Sequence, residues 1–117
     1  LIARSTARVL ERHGYCVLRT TDGLEALDVF ERNKAAVALV LLDMEMPNMG
    51  GLESMRHLLK RDPDVKVIAL SGHLLKPLVW DPVEDGARAF VQKPFAATAL
   101  LSVIRTVLDG DLSRAGT

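Results

Sequence analysis

From Ala36 to Leu42 every residue is apolar, with no polar side chain available to face solvent. A strand with one wet face alternates polar and apolar residues, so this run fits a strand buried on both faces. That is the condition of a parallel sheet covered by helices on each side. The run ends at Asp43, and the residues that follow, Met46-Pro47-Asn48-Met49-Gly50-Gly51, have the composition of a loop. A carboxylate is thereby expected at the carboxyl end of a buried strand, the edge where open parallel sheets bind ligands. Aspartate also closes strands simply because it suits turns. Position alone leaves both readings open.

The rest of the chain alternates helical and strand-like patterns. Residues 1 to 13 place Ala3, Ala7 and Leu10 on one stripe with Ile2, Thr6 and Val9 beside it, and Gly14 supplies a stop. Tyr15 to Thr20 is rich in β-formers and reads as a strand. A second helix carries Leu24, Leu27 and Phe30 on one face, opened by Asp22 and Glu25 in capping-box spacing. A third has Leu52, Met55 and Leu59 inward and stops at Asp62-Pro63. Val65 to Leu70 and Arg88 to Gln92 read as further strands, the first apolar except for Lys66. Leu100, Ile104 and Val107, with Leu101 and Leu108, mark a last helix. Pro77 and Pro82 predict a short or broken helix between those two strands. This order predicts an α/β fold with a parallel sheet between two helical layers. Residues 1–108 form the expected domain, and 109–117 a polar tail or linker.

A chain of 117 residues, 49% hydrophobic, fits one domain with a real core. Fifteen basic and fifteen acidic residues cancel, which gives no footprint for nucleic acid and no polybasic membrane patch. No apolar stretch reaches the ~20 residues needed to span a bilayer. The first residues lack the basic-then-apolar order of a secretion signal, so a cytoplasmic location is expected. Cys16 is the only cysteine; its apolar neighbours predict a packed thiol rather than a reactive one. His13, His57 and His73 have no metal-ligand spacing. His13, before Gly14, suits a helix carboxyl end.

Three strands stop at polar residues of complementary type: Asp43, Ser71 and Lys93. If the strands are parallel, the three share one edge. Each has an ordinary explanation, since Ser71-Gly72 suits a turn and Lys93-Pro94 a solvated terminus. Together they suit phosphoryl chemistry: a carboxylate nucleophile, a hydroxyl donor and a cation for the transferring oxygens.

These residues resemble the receiver domain of two-component response regulators, the chemotaxis-regulator-like phosphoacceptor family. Leu41-Leu42-Asp43 with Met46 to Gly51 is similar to the family's phosphorylation loop, Leu70-Ser71-Gly72 to its switch hydroxyl, and Val91-Gln92-Lys93-Pro94-Phe95 to its lysine motif. The resemblance covers nearly the whole chain. It implies a flavodoxin-like, doubly wound parallel sheet of strand order 2-1-3-4-5. It also implies that Asp43 accepts a phosphoryl group from a histidine kinase or phosphotransfer domain. Ser71 and Lys93 would then bind the phosphoryl oxygens, and Ser71 with Phe90, three residues before the lysine, would act as switch residues.

The departures are informative. In this family a first strand ends in two adjacent acids that hold Mg²⁺ with the phosphoacceptor and a backbone carbonyl two residues beyond it, here that of Glu45. The chain opens at Leu1, already in the first helix, and no acid pair follows an apolar strand elsewhere. The first strand is missing from this chain. Asp43 and the Glu45 carbonyl are too few anchors for an ion that demands octahedral oxygen ligands. An upstream continuation carrying the strand and the acid pair is therefore expected. Phe90 has no phenol hydroxyl, so it could move inward but not hydrogen-bond on arrival.

The leading expectation is a phosphoprotein signalling module in a phosphorelay, not an enzyme in itself, which switches a partner or fused output domain. It could equally be the C-terminal receiver of a hybrid sensor kinase. One alternative is a pseudo-receiver that docks without being phosphorylated. A second is a phosphatase of the haloacid-dehalogenase type, which also pairs a strand-end Asp with a Ser/Thr and a Lys but carries a second Asp where this chain has Glu45.

Overall fold

The computed structural model describes residues 4–20, 22–44, 51–71, 86–93 and 95–110, without the side chains of residues 51, 52 and 71. The elements in chain order are α1 (Arg4–Arg12), α2 (Gly23–Asn33), β1 (Val40–Asp43), α3 (Gly51–Arg61), β2 (Val67–Ser71), β3 (Ala89–Gln92) and α4 (Ala97–Leu108). The three strands form one parallel sheet in the order β1-β2-β3. The expected break around Pro77 and Pro82 and the tail beyond 110 lie outside the described residues.

The uninterrupted apolar runs bury both faces of the sheet. Even-numbered residues of β2, Ile68 and Leu70, pack with Leu10 of α1 and Leu100, Ile104 and Val107 of α4. The odd ones, Val67 and Ala69, pack on the other face with Leu27 and Phe30 of α2 and Met55 and Leu58 of α3. This period-two division gives a three-layer sandwich with two apolar clusters. Asp22 caps α2 as its spacing predicts, its carboxylate accepting from the Glu25 N–H at 2.8 Å. His13 closes α1, its Nδ1 lying 2.9 Å from the Val9 carbonyl. Lys66, the polar residue in an otherwise apolar stretch, sits before β2 and donates to the Leu108 carbonyl at 3.3 Å. Its charge thereby meets the negative end of α4.

Four expectations need correction. Among the described residues Tyr15–Thr20 forms no strand and joins no sheet. Its period-two pattern persists, with Tyr15 and Val17 packed toward α1 and α4. That alternation turns Cys16 outward, so the thiol is exposed rather than packed. Leu24 is 57% exposed because the inward face of α2 runs through Leu27 and Phe30 instead. On α3 the fully buried apolar positions among the described side chains are Met55 and Leu58, with Ser54 buried beside them and Leu59 only partly covered.

The reason Tyr15–Thr20 pairs with no described strand is visible beside it. A cavity of about 510 Å³ is lined by residues of this segment and of β1 together, among them Leu10, Tyr15, Val17, Phe30, Val40 and Leu41. A strand has to find backbone partners within about 5 Å, and here the cavity intervenes. The lining draws on both apolar clusters, which is what the slot of an interior strand looks like. Amides of Cys16, Val17 and Leu18 make no backbone hydrogen bond to another segment among the described residues. Hydrogen exchange in this chain should therefore be at least ~10³-fold faster there than at Ile68–Leu70 in the centre of the sheet. Equal protection of the two stretches would contradict the open slot.

Gly86 holds the entry to β3. Its φ is +117°, and a Cβ there would lie 2.6 Å from Leu59 Cδ1. Substitution by alanine meets both backbone strain and a clash with α3. Gly86→Ala is expected to cost about 1–3 kcal/mol in chemical denaturation; a change below 0.5, roughly the noise of surface substitutions, would be the contrary result.

Candidate phosphoacceptor site

Because the strands are parallel and in register, their carboxyl ends share one edge. Asp43 pairs across with Leu70, and Ser71 with Gln92, the residue before Lys93. The ladder continues one step beyond β1, the Met44 N–H donating to the Leu70 carbonyl at 2.8 Å. That bond fixes the backbone on both sides of the carboxylate. Asp43 is 5% exposed, one of two buried polar residues among those described.

A buried carboxylate needs compensation, since unpaired burial of a charge costs several kcal/mol. Lys93 supplies it: Nζ donates to Asp43 Oδ2 at 2.9 Å across fifty residues of sequence. Its side chain remains 30% exposed, so the ammonium reaches the carboxylate from the solvent side of the edge. Asp43 and Lys93 each have a further interaction beyond this pair. No buried side-chain polar atom among the described residues lacks a partner.

Of the residues singled out in the sequence, Asp43 and Lys93 are brought into contact. Ser71 ends β2 between them, placed by its backbone register alone. Glu45 lies outside the described residues. Phe90 in β3 is partly buried and packs with the cluster on the α2/α3 face. Gly86, which sets the start of the strand leading to Lys93, was legible in the sequence as a glycine but not as a close contact; only the fold puts Leu59 against it.

Mg²⁺ does not fit the residues described. They contain no group of three or more His, Cys, Asp or Glu able to hold a metal ion, and the one acid at this edge already has an oxygen on Lys93. An octahedral ion needs more oxygen ligands than that.

A family model, the response regulator receiver domain, matches residues 1–105. The chain belongs to the response regulator receiver domain family. Its relatives include the chemotaxis protein CheY of Listeria monocytogenes, 35% identical over 88 residues that span 75% of this chain and 72% of that protein. The sensor kinase CckA of Brucella abortus is 32% identical over 102 residues, 87% of this chain but only 11% of that protein. The transcriptional regulatory protein DctD of Rhizobium meliloti, 34% identical over 89% of this chain, is likewise spanned over only 22% of its length. Among solved structures, a receiver domain protein from Clostridium thermocellum is similar with a TM-score of 0.81 at 27% identity, covering 92% of this chain and 86% of that one. A CheX–CheY complex from Borrelia burgdorferi contains a chain similar at TM-score 0.81 and 26% identity, with 89% and 78% covered.

The chain is thus a receiver domain of the two-component systems, a signalling domain with the flavodoxin-like fold of its neighbours. Neither the docking-only nor the haloacid-dehalogenase reading gains support from these relatives. Among the described residues no helix is long and apolar enough to cross a membrane.

Proposed function

We propose that Asp43 is the phosphoacceptor, supplied by a histidine kinase or phosphotransfer domain in the cytoplasm. The observation that carries this reading is the 2.9 Å contact of Lys93 Nζ with a carboxylate only 5% exposed, at the carboxyl end of a parallel sheet. An oxygen of Asp43 attacks phosphorus as the donor's N–P bond breaks; the bonding pair leaves with the imidazole, which takes up a proton. The product is an acyl phosphate. Lys93, already on Oδ2, exchanges part of that contact for a phosphoryl oxygen, where the charge is greatest. Ser71, at the end of the adjacent strand, provides the second donor, and Phe90 follows its movement.

The slot beside β1 belongs to the same reading. A strand preceding Leu1 would fill it and end beside Asp43, where its acid pair would add the oxygen ligands that the described residues lack. Reading the codons upstream of Leu1 tests this part: an in-frame start with no apolar strand and acid pair ahead of it would remove it. The acceptor assignment has its own test. Incubated with a small phosphodonor and Mg²⁺, the polypeptide carrying this chain and its upstream segment should gain the mass of one phosphoryl group. Ser71→Ala should retain labelling but lose the conformational response, and an unchanged response in that variant would refute the role given to Ser71.

A further inference from the structure

Of the four methionines in the chain, Met44, Met46 and Met49 follow Asp43 closely, and Met55 lies in α3. Met46 and Met49 are outside the described residues. The other two share one apolar cluster but differ in their access to solvent. Met55 is 0% exposed within the cluster on the α2/α3 face, whereas Met44 packs on its rim and is only half-buried. Its companions on that rim, Val37, Val40, Leu59 and Phe90, carry no sulfur. Met44 is also tied through its backbone. Its N–H donates to the Leu70 carbonyl at 2.8 Å, the bond that extends the ladder one step past Asp43. A solvent-reachable thioether and the backbone bond beside the buried carboxylate therefore belong to one residue.

We infer that Met44 is a reversible oxidation site, through which hydroperoxides loosen the end of β1 beside Asp43. In the step itself, a lone pair of Sδ attacks one oxygen of hydrogen peroxide as the O–O bond breaks. The departing hydroxide takes the proton of the transferred hydroxyl and leaves as water, so sulfur is oxidised to the sulfoxide and the peroxide is reduced. A sulfoxide is polar, and holding it against an apolar cluster without a hydrogen bond is unfavourable. The side chain turns toward water, and the pull falls on the Met44–Leu70 bond. Asp43 is the next residue, and its 2.9 Å contact with Lys93 Nζ depends on how β1 ends. The oxidation stands apart from phosphoryl chemistry; only its effect on phosphorylation rests on Asp43 being the acceptor.

The test uses the polypeptide carrying this chain with Cys16→Ser, which removes the exposed thiol as a competing target. After brief treatment with hydrogen peroxide, peptide mass spectrometry should find sulfoxide at Met44 at least ~10-fold sooner than at Met55, whose sulfur reacts only when the fold opens. In the oxidised protein the Met44 amide should exchange about 10-fold faster. Phosphoryl labelling should slow about 10-fold, as expected when a reacting group is slightly misplaced. Methionine sulfoxide reductases should reverse both effects. Met44→Leu keeps the apolar contact without the sulfur and should lose the peroxide sensitivity; Met44→Gln should slow labelling with no peroxide added. Circular dichroism shows whether each variant keeps its fold. Equal oxidation of Met44 and Met55 in the folded protein, a Met44 amide indifferent to the sulfoxide, or undiminished peroxide sensitivity in Met44→Leu would each overturn the inference. Absence of labelling before any peroxide is added would instead count against Asp43 as the acceptor, with oxidation mapping and amide exchange still deciding the role of Met44.

Discussion

Replacing Lys93 by methionine is expected to destabilise the domain by about 1–3 kcal/mol, measured by urea denaturation. Breaking a fully buried ion pair from one side typically costs ~3–5 kcal/mol, because the other charge is left without compensation. The lower figure reflects the partial exposure of Lys93, 30%. The attribution can be isolated. In an Asp43→Asn background the buried charge is gone, so Lys93→Met should cost less than ~0.5 kcal/mol, leaving most of the single-mutant effect as coupling. An equal cost in both backgrounds would mean that Lys93 acts through packing of its stem. Methionine keeps much of that stem's apolar bulk, which makes it a more discriminating replacement than alanine.

The second large effect separates function from stability. Asp43→Asn should abolish phosphoryl labelling of the polypeptide carrying this chain, since an amide oxygen is a far weaker nucleophile than a carboxylate. The same substitution should leave the fold intact and cost little stability, because it removes a buried charge while preserving shape and a hydrogen-bond acceptor for Lys93. Loss of labelling accompanied by unfolding would not support the assignment; intact labelling in a folded Asp43→Asn variant would refute it. Lys93→Met should slow labelling and leave it measurable, because its ammonium stabilises charge rather than forming the new bond.

Much of this architecture was readable in residue types. The apolar stretch before Asp43 announced a doubly buried strand, and β1 proves to bury its two faces in different clusters. The Asp22–Glu25 spacing predicted the cap that forms. The strand-end residues were legible because strand ends in a parallel sheet must share an edge; that Asp43 and Lys93 touch required the register of β1 on β2 and β2 on β3. Tyr15–Thr20 shows where local pattern stops informing. Its composition and alternation are those of a strand, yet strand pairing is a property of two segments, and the cavity keeps its neighbour out of reach. Cys16 was misjudged for a related reason: apolar neighbours in sequence are not neighbours in space when successive side chains alternate between inward and outward positions, as they do over residues 15–18. Leu24 was assigned to the inner face of α2 by spacing from Leu27, but the buried stripe of that helix runs through Gly23, Leu27 and Phe30 and leaves Leu24 beside it.

Which atom receives the phosphoryl group can be read chemically. Borohydride reduces an aspartyl phosphate to homoserine, a change that peptide mass spectrometry can locate after phosphorylation of the polypeptide carrying this chain. Homoserine is expected at position 43 and at no other aspartate, and none when the phosphodonor is omitted. Conversion at another acid, or a phosphoryl group retained on a histidine with position 43 unchanged, would contradict it.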